Sequence, residues 1–378
     1  MFGNEDLMIL RPILTHNSIK KGDMSAHLNL IESIENHTLF FPVNAELPEE
    51  EIDAYKSALE RLLCTQDWVF EELIKYGGLA LLTSGSTGEP KLALFSWNRL
   101  LRLAELQAKA LDISVSSMCL LSLPLYHIAG VMARLRAYVA KADITSDVAE
   151  ATHISWVPTQ LMRYLKAPFP LPKLHSLLIG GAPVCFKLKK QARQRGLPLF
   201  ESYGLTEAGA LVCLDGKPAS SINVRIREGE VELKGGLLFL GYLDRSGQLF
   251  EHCPDAWFQT GDLGEFDALG VLNILGRRDN LFISGGENIQ PEEIENALMQ
   301  HPCIDFACVV PIEDPEFGKR PVAFVHSSEH LETADVYAFL ETKLIKFKWP
   351  VKFFPWPQHV VQNKSARLEL KRRVLEEL

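Results

Sequence analysis

From Glu49 to Lys75 the apolar residues Ile52, Leu59, Leu62, Leu63, Val69 and Leu73 recur at roughly helical spacing with charges between them, which predicts helix. A short apolar run, Leu79–Leu82, leads into a loop rich in hydroxyls and glycine, and helical spacing returns over Trp97–Leu111. Short apolar runs then alternate with helical stretches. Strands are predicted at Cys119–Leu123, Ser176–Ile179 and Pro198–Ser202, and helices at Thr159–Leu165 and, strongly basic, Phe186–Arg195. Such alternation predicts a parallel sheet flanked by helices. Between Ile222 and Leu243 the period drops to two, as in Val224-Arg-Ile-Arg and Val231-Glu-Leu-Lys, with glycines between, and this predicts antiparallel hairpins. Beyond Gly276 the pattern gives a strand (Leu281–Ile283), a helix (Pro291–Met299) and two strands (Phe306–Val310, Val322–Val325). A helix (Asp335–Ile345), a strand (Val351–Phe354) and a final helix complete it.

The expected fold class is therefore α/β. A large N-terminal domain (1–277) of parallel-rich sheets flanked by helices, with a hairpin-rich section, precedes a small mobile α+β C-terminal domain (278–378). No internal repeat or low-complexity tract is present in the sequence.

Composition narrows the function classes. At 378 residues the chain can bury a large core, and 47% hydrophobic with 23% charged residues is ordinary for a soluble globular protein. A net charge of −9 with no basic face argues against a general nucleic-acid binder. The seven cysteines (Cys64, Cys119, Cys185, Cys213, Cys253, Cys303 and Cys308) form no C-x-x-C pair, so neither a disulfide framework nor a zinc site is expected. The first residues lack a basic segment followed by an apolar one, and no run of 18 apolar residues occurs. The expectation is a soluble, reduced, cytoplasmic protein without a membrane span.

The loop Thr83-Ser-Gly-Ser-Thr-Gly-Glu-Pro-Lys91 holds the strongest chemistry. Glycines let backbone N–H groups approach an anion, hydroxyls donate further hydrogen bonds, and a lysine adds a point charge, a combination suited to a polyphosphate. The spacing is not that of a Walker loop, and no G-x-G-x-x-G follows a strand, so neither a P-loop NTPase nor a nicotinamide enzyme is indicated.

Four further segments occur in order: Pro124-Leu-Tyr-His127, Ser202-Tyr-Gly-Leu-Thr-Glu207, Gln259-Thr-Gly-Asp262, and Gly276–Ile289 with Pro291-Glu-Glu-Ile-Glu295. Together with the loop they resemble the adenylate-forming superfamily of acyl-CoA synthetases, adenylation domains and luciferases, from about residue 79 to the end. Trp156–Arg163 and His127-Ile-Ala-Gly130 followed by Arg136 are most similar to the o-succinylbenzoate–CoA ligases of menaquinone biosynthesis.

The resemblance implies an ATP- and Mg²⁺-dependent ligase with coenzyme A as co-substrate and a small carboxylic acid as substrate. It joins acid to coenzyme A through an acyl-adenylate, releasing AMP and pyrophosphate. It assigns Thr83, Ser84, Gly85, Ser86, Thr87, Gly88 and Lys91 to the phosphates, Tyr203 to adenine with Gly180, Gly181 and Ala182 opposite, and Thr206 to the α-phosphate. Glu207 becomes the metal ligand, Asp262 and Arg277 hold the ribose, and Asp279 is the hinge. Gly285 and Gly286 admit the pantetheine arm. His127 and Arg136 are candidates for the acyl side, because a guanidinium suits the second carboxylate of succinylbenzoate.

Two departures stand out. Asn363-Lys-Ser-Ala-Arg-Leu368 places Arg367 where the family has a catalytic lysine, with Lys364 and Lys371 as other cations in reach. An arginine is a rigid planar fork and not a compact ammonium, so slow adenylation is expected. The phosphate loop also begins earlier than usual for the family, which implies a trimmed first half and leaves room for a homodimer. The alternatives are a ligase for another carboxylic acid and a degenerate homologue that binds nucleotide with little catalysis.

Overall fold

The computed structural model describes residues 14–19, 24–44, 46–62, 68–83, 89–327, 330–357, 360 and 366–377. The helical spacing over 49–75 resolves into two helices, Glu49–Leu62 and Trp68–Tyr76. The first carries Glu49, Glu50 and Glu51 in its opening turn, where carboxylates complement the helix dipole, and buries Ile52, Tyr55, Ala58, Leu59 and Leu62.

Two sheets dominate the large domain. The first has six strands in the order Leu14–Ile19, Leu39–Asn44, Gly78–Thr83, Lys91–Ser96, Gly241–Leu243, Leu249–Glu251. Its first three strands run parallel and the rest antiparallel. The strand Lys91–Ser96 lies between the loop and the helix expected from Trp97, in a stretch to which the sequence pattern assigns no element. Leu92, Ala93, Leu94 and Phe95 are all buried, so both faces of this strand pack against neighbours and no alternation marks it. It pairs with Gly78–Thr83 in a register that sets Thr83 opposite Lys91, so the loop is closed at its base.

The second sheet contains the predicted parallel core. Asp143–Thr145, Met118–Leu120, His153–Trp156, Ser176–Ile179 and Leu199–Tyr203 lie side by side and parallel, extended by short antiparallel strands at Cys213–Leu214 and Lys217–Pro218. The helices Trp97–Ala110 and Ile128–Ala140 fill the space between the two sheets, burying Leu100, Leu103, Val131, Met132 and Leu135 in one core with Leu79, Phe95 and Phe239. The helix Phe186–Gln194 lies where its basic pattern predicts.

The hairpins expected after Ile222 form a third, antiparallel sheet: Asn223–Arg227, Glu230–Lys234, Phe258–Phe266 and Leu272–Arg277. The remaining chain is α+β. It comprises the hairpin Phe282–Ser284/Glu287–Ile289, the helix Pro291–Leu298, a sheet of Ile304–Asp314, Gly318–Ser327 and Phe353–Pro355, and the helices Thr333–Leu340 and Ala366–Glu377. The helix predicted to reach Ile345 stops at Leu340 and gives way to turns. The two parts touch through Cys185 and Leu188, which pack on the small part's core, and through Lys187, whose ammonium is 3.0 Å from Asp305.

Candidate active site

The parallel strands of the second sheet end together, and the segments that follow them carry the candidate residues. Trp156 pairs with Ile179 and Ile179 with Glu201, so Gly180–Ala182 and the Tyr203–Glu207 segment leave the same edge. Clefts outside the carboxyl ends of parallel strands are the usual ligand sites of α/β folds. Gly180 sits where a Cβ would strike the Ser202 hydroxyl, so a larger residue here would have to turn that side chain aside. Gly181 and Ala182 follow on the surface.

Tyr203, Asp262 and Arg277 come together from two sheets. The Tyr203 hydroxyl donates to Asp262 Oδ2 at 2.6 Å, and Arg277 Nη1 lies 3.1 Å from Asp262 Oδ1. Asp262 and Arg277 are cross-strand partners in the third sheet, which fixes their approach. Arg277 also donates to the Thr260 carbonyl (2.7 Å) and, through Nη2, to Asp279 (2.9 Å). Burial works against its charge, but the Asp262 and Asp279 carboxylates prevail and raise its pKa. Burial and then the Asp262 charge hold the Tyr203 hydroxyl protonated well above its ordinary range.

Thr206 and Glu207 lie in a single 3₁₀ turn, Thr206–Ala208, directly after the Leu199–Tyr203 strand. The Glu207 carboxylate is buried and accepts a short hydrogen bond from the Tyr242 hydroxyl, while its backbone carbonyl accepts from the Phe239 N–H at 2.9 Å. Tyr242 belongs to the first sheet, so Glu207 is braced from across the cleft. Its hydroxyl is raised well above the ordinary value by burial first and by Glu207 second. The donor set suits a hard cation. One carboxylate is present, and among the described residues no cluster of three His, Cys, Asp or Glu surrounds a point; magnesium completes such a shell with phosphate oxygens and water.

On the side expected for the acid, His127 is exposed at the N-terminus of the Ile128–Ala140 helix, edge-on to Tyr126. Arg136 on the same helix is 3% exposed, which rules out a surface arginine. Its guanidinium donates to Gln107 Oε1 and Ser155 Oγ, both at 3.0 Å.

Lys91 and Thr83 face each other at the base of the candidate phosphate loop, where Thr83 Oγ1 donates to the Lys91 carbonyl at 3.3 Å. The Lys91 ammonium rests 4.5 Å from the centre of the Phe250 ring. Ser84, Gly85, Ser86, Thr87 and Gly88 lie outside the described residues, as does Lys364. Gly285 and Gly286 form the turn of the Phe282–Ser284/Glu287–Ile289 hairpin with φ of +56° and +88°. A Cβ on Gly285 would come within 2.7 Å of the Phe317 ring.

Arg367 departs from the expectation of a free cation facing the nucleotide. Its guanidinium is held inside the small domain, 2.8 Å from Glu295, 3.2 Å from Glu292 and 2.5 Å from the Val309 carbonyl. Burial opposes its charge, but Glu295, Cys308 and Glu292 together raise its pKa. Glu292 also accepts from Asn280 (2.5 Å) and Gln290, and Gln290 donates to the Arg277 carbonyl (3.0 Å), so a hydrogen-bonded line joins the Arg277 region to Arg367.

Tyr242 and Gln107 were not singled out from sequence. Nothing marks Tyr242 in its short strand. Gln107 carries a signal: it is a polar residue on the apolar stripe Leu100, Leu103, Ala104, Leu111.

Comparison with known proteins gives a consistent result. Residues 79–235 match the model of the AMP-binding enzyme family, and 293–364 that of the AMP-binding enzyme C-terminal domain. A 2-succinylbenzoate–CoA ligase of Salmonella typhimurium is 37% identical over 313 residues, 78% of this chain and 68% of the relative. Among solved structures, E. coli MenE with bound OSB-AMS superposes with a TM-score of 0.81 at 28% identity, covering 98% of this chain and 90% of that one. Bacillus subtilis MenE in complex with ATP and magnesium gives 0.77 at 25% identity, covering 97% and 91%.

Proposed function

The chain belongs to the AMP-binding enzyme family, and from that premise we propose that it is an ATP-dependent acid–CoA ligase acting on 2-succinylbenzoate. A carboxylate oxygen of the acid attacks the α-phosphorus of ATP, forming the acyl-adenylate as the bond to pyrophosphate breaks. The sulfur of coenzyme A then attacks the acyl carbon, the thiol proton leaves, and the C–O bond to AMP breaks. The observation that carries this reading is the convergence of Tyr203, Thr206, Glu207, Asp262 and Arg277 on one edge of the parallel sheet.

In this reading Asp262, held by Tyr203 and Arg277, keeps free lone pairs for the ribose hydroxyls. Tyr203 gives its ring face to adenine against Gly180–Ala182, and Thr206 donates to the α-phosphate. Lys91, with Thr83 and the loop 84–88, holds the β- and γ-phosphates, for which its ammonium leaves Phe250. Bound by Glu207 and phosphate oxygens, magnesium would neutralise charge on the leaving pyrophosphate. Positioning of this kind supplies most of the catalysis when no protein nucleophile takes part. His127 and Arg136 serve the acid, with Arg136 the counter-charge for its second carboxylate. Asp279 is the hinge between the domains 1–277 and 278–378, and Gly285 and Gly286 line the path of the pantetheine arm.

One observation favours a weaker catalyst: Arg367 is engaged by Glu292 and Glu295 and supplies no free charge to the α-phosphate as placed. Lys364 and Lys371 are the other cations on this segment. The test is pyrophosphate release with ATP, Mg²⁺ and succinylbenzoate, with and without coenzyme A, followed by mass analysis. Succinylbenzoyl-CoA is the expected product. ATP binding without pyrophosphate from any of a range of acids would replace this reading with that of a nucleotide-binding homologue.

A further inference from the structure

Arg136 is a buried cation whose side-chain partners are neutral. Nη1 and Nη2 bond Gln107 and Ser155, Nε has no acceptor, and no ion pair to Arg136 occurs among the described residues. The titratable group that acts on it is the Cys119 thiol, which burial pushes up to about 11 and so keeps neutral. Burial lowers the pKa of Arg136 itself to about 10, still cationic at neutral pH. A charge taken out of water is normally offset by an opposite charge beside it, and among the described residues none stands beside Arg136. The adjoining void, about 10 Å³ and lined by Cys119, His153, Ser155 and Ser176, has room for one water. A ligand carboxylate would supply that counter-charge once this space widens to admit it.

Gln107 holds one arm of this guanidinium, as Ser155 holds the other. Gln107 is 2% exposed, and both ends of its amide are used: the oxygen accepts from Arg136, and the nitrogen donates to the Gly209 carbonyl at 2.8 Å. These partners fix the amide orientation, because a guanidinium only donates and a carbonyl only accepts. Gly209 closes the Thr206–Ala208 turn, so one side chain joins Arg136 to the segment carrying Thr206 and Glu207.

We propose that Gln107 is a specificity-determining positioning residue: a neutral acceptor that aims Arg136 while leaving its charge uncompensated for the second carboxylate of a dicarboxylic acid. This rests on the reading of Arg136 given above. Gln107→Glu changes almost no volume but hands the guanidinium an internal counter-ion, so the acid loses its advantage.

The experiment compares wild type, Gln107→Glu and Gln107→Met in pyrophosphate release, with folding checked by circular dichroism. Gln107→Glu is expected to raise KM for succinylbenzoate at least ~10-fold, with KM for ATP changed less than ~2-fold and kcat little altered. The thermal-shift increment produced by succinylbenzoate falls with it. Gln107→Met, which keeps length but neither accepts nor carries charge, is expected to raise KM for the acid selectively as well, because Arg136 loses its guide; it carries the test if the glutamate variant does not fold. Equal losses toward ATP and acid, or an unchanged KM for the acid in a folded variant, would overturn the inference alone. A wild type inactive with succinylbenzoate would overturn both it and the functional reading beneath it.

Discussion

Removing the Arg367 side chain tests whether that residue serves the small domain or the reaction. In Arg367→Ala the Glu295 carboxylate loses its cation while staying 8% exposed, and Cys308 and Val309 still pack around it. Breaking a buried pair from one side costs about 3–5 kcal/mol. Glu295 keeps the Val309 N–H at 2.6 Å, and Arg367 is 16% exposed, so the lower end, about 3 kcal/mol, is the better figure here. That corresponds to roughly a hundredfold faster hydrogen exchange in peptides covering the Ile304–Asp314 strand if they open with the small domain. Burial already raises the Glu295 pKa, and losing Arg367 raises it further. A carboxyl whose folded pKa exceeds its unfolded one is stabilising below the unfolded value, and that contribution is lost as pH rises through the folded value. The penalty should therefore be largest at neutral pH, shrink toward pH ~4.5, and be largely removed by adding Glu295→Gln. Exchange within ~3-fold of wild type, together with a fall in adenylation of more than ~1000-fold, would refute this account and return Arg367 to the reacting phosphate.

Three other outcomes are expected. Tyr242→Phe removes the hydroxyl that braces Glu207, and should weaken Mn²⁺ binding in the presence of ATP, read by electron paramagnetic resonance, by ~10- to 100-fold with little change in thermal stability. Gly285→Ala puts a Cβ at φ +56° against the Phe317 ring, at a cost of about 1–2 kcal/mol; thioester formation should slow while pyrophosphate release without coenzyme A stays within ~2-fold. His153, His252 and His301 all have pKa values lowered by burial, so the folded state resists protonation. Stability should be full above about pH 6.5 and fall as pH drops below it, and His153→Gln should flatten part of that slope in urea titrations.

The elements most legible in the sequence were those with one wet face. Trp97–Ala110, Pro158–Lys166 and Phe186–Gln194 show helical spacing because charges mark their solvent side. Lys91–Ser96 was hidden because helices cover both of its faces, which leaves an unbroken apolar run. The candidate nucleotide residues are legible as motifs, but their mutual bonds are not, since Tyr203–Asp262 joins strands of two sheets and Tyr242–Glu207 joins a strand of the first sheet to the turn after a strand of the second. The burial of Arg136 was likewise invisible. A lone arginine on a helix reads as surface until the facing helix is known to present Gln107 to it.

Because Thr83 and Lys91 are locked in one ladder, the segment between them behaves as a ring already closed, and its length is uncoupled from the fold. Doubling it would add only about 0.6 kcal/mol of closure entropy. A one-residue slip in either flanking strand is another matter: it would exchange the two buried faces of Gly78–Thr83 and Lys91–Ser96 and disturb the packing on both sides of the sheet. Insertions and deletions across this hairpin should thus be tolerated or rejected on opposite grounds. In the loop the proposed phosphate contact would set the permitted length; in the strands, the core does.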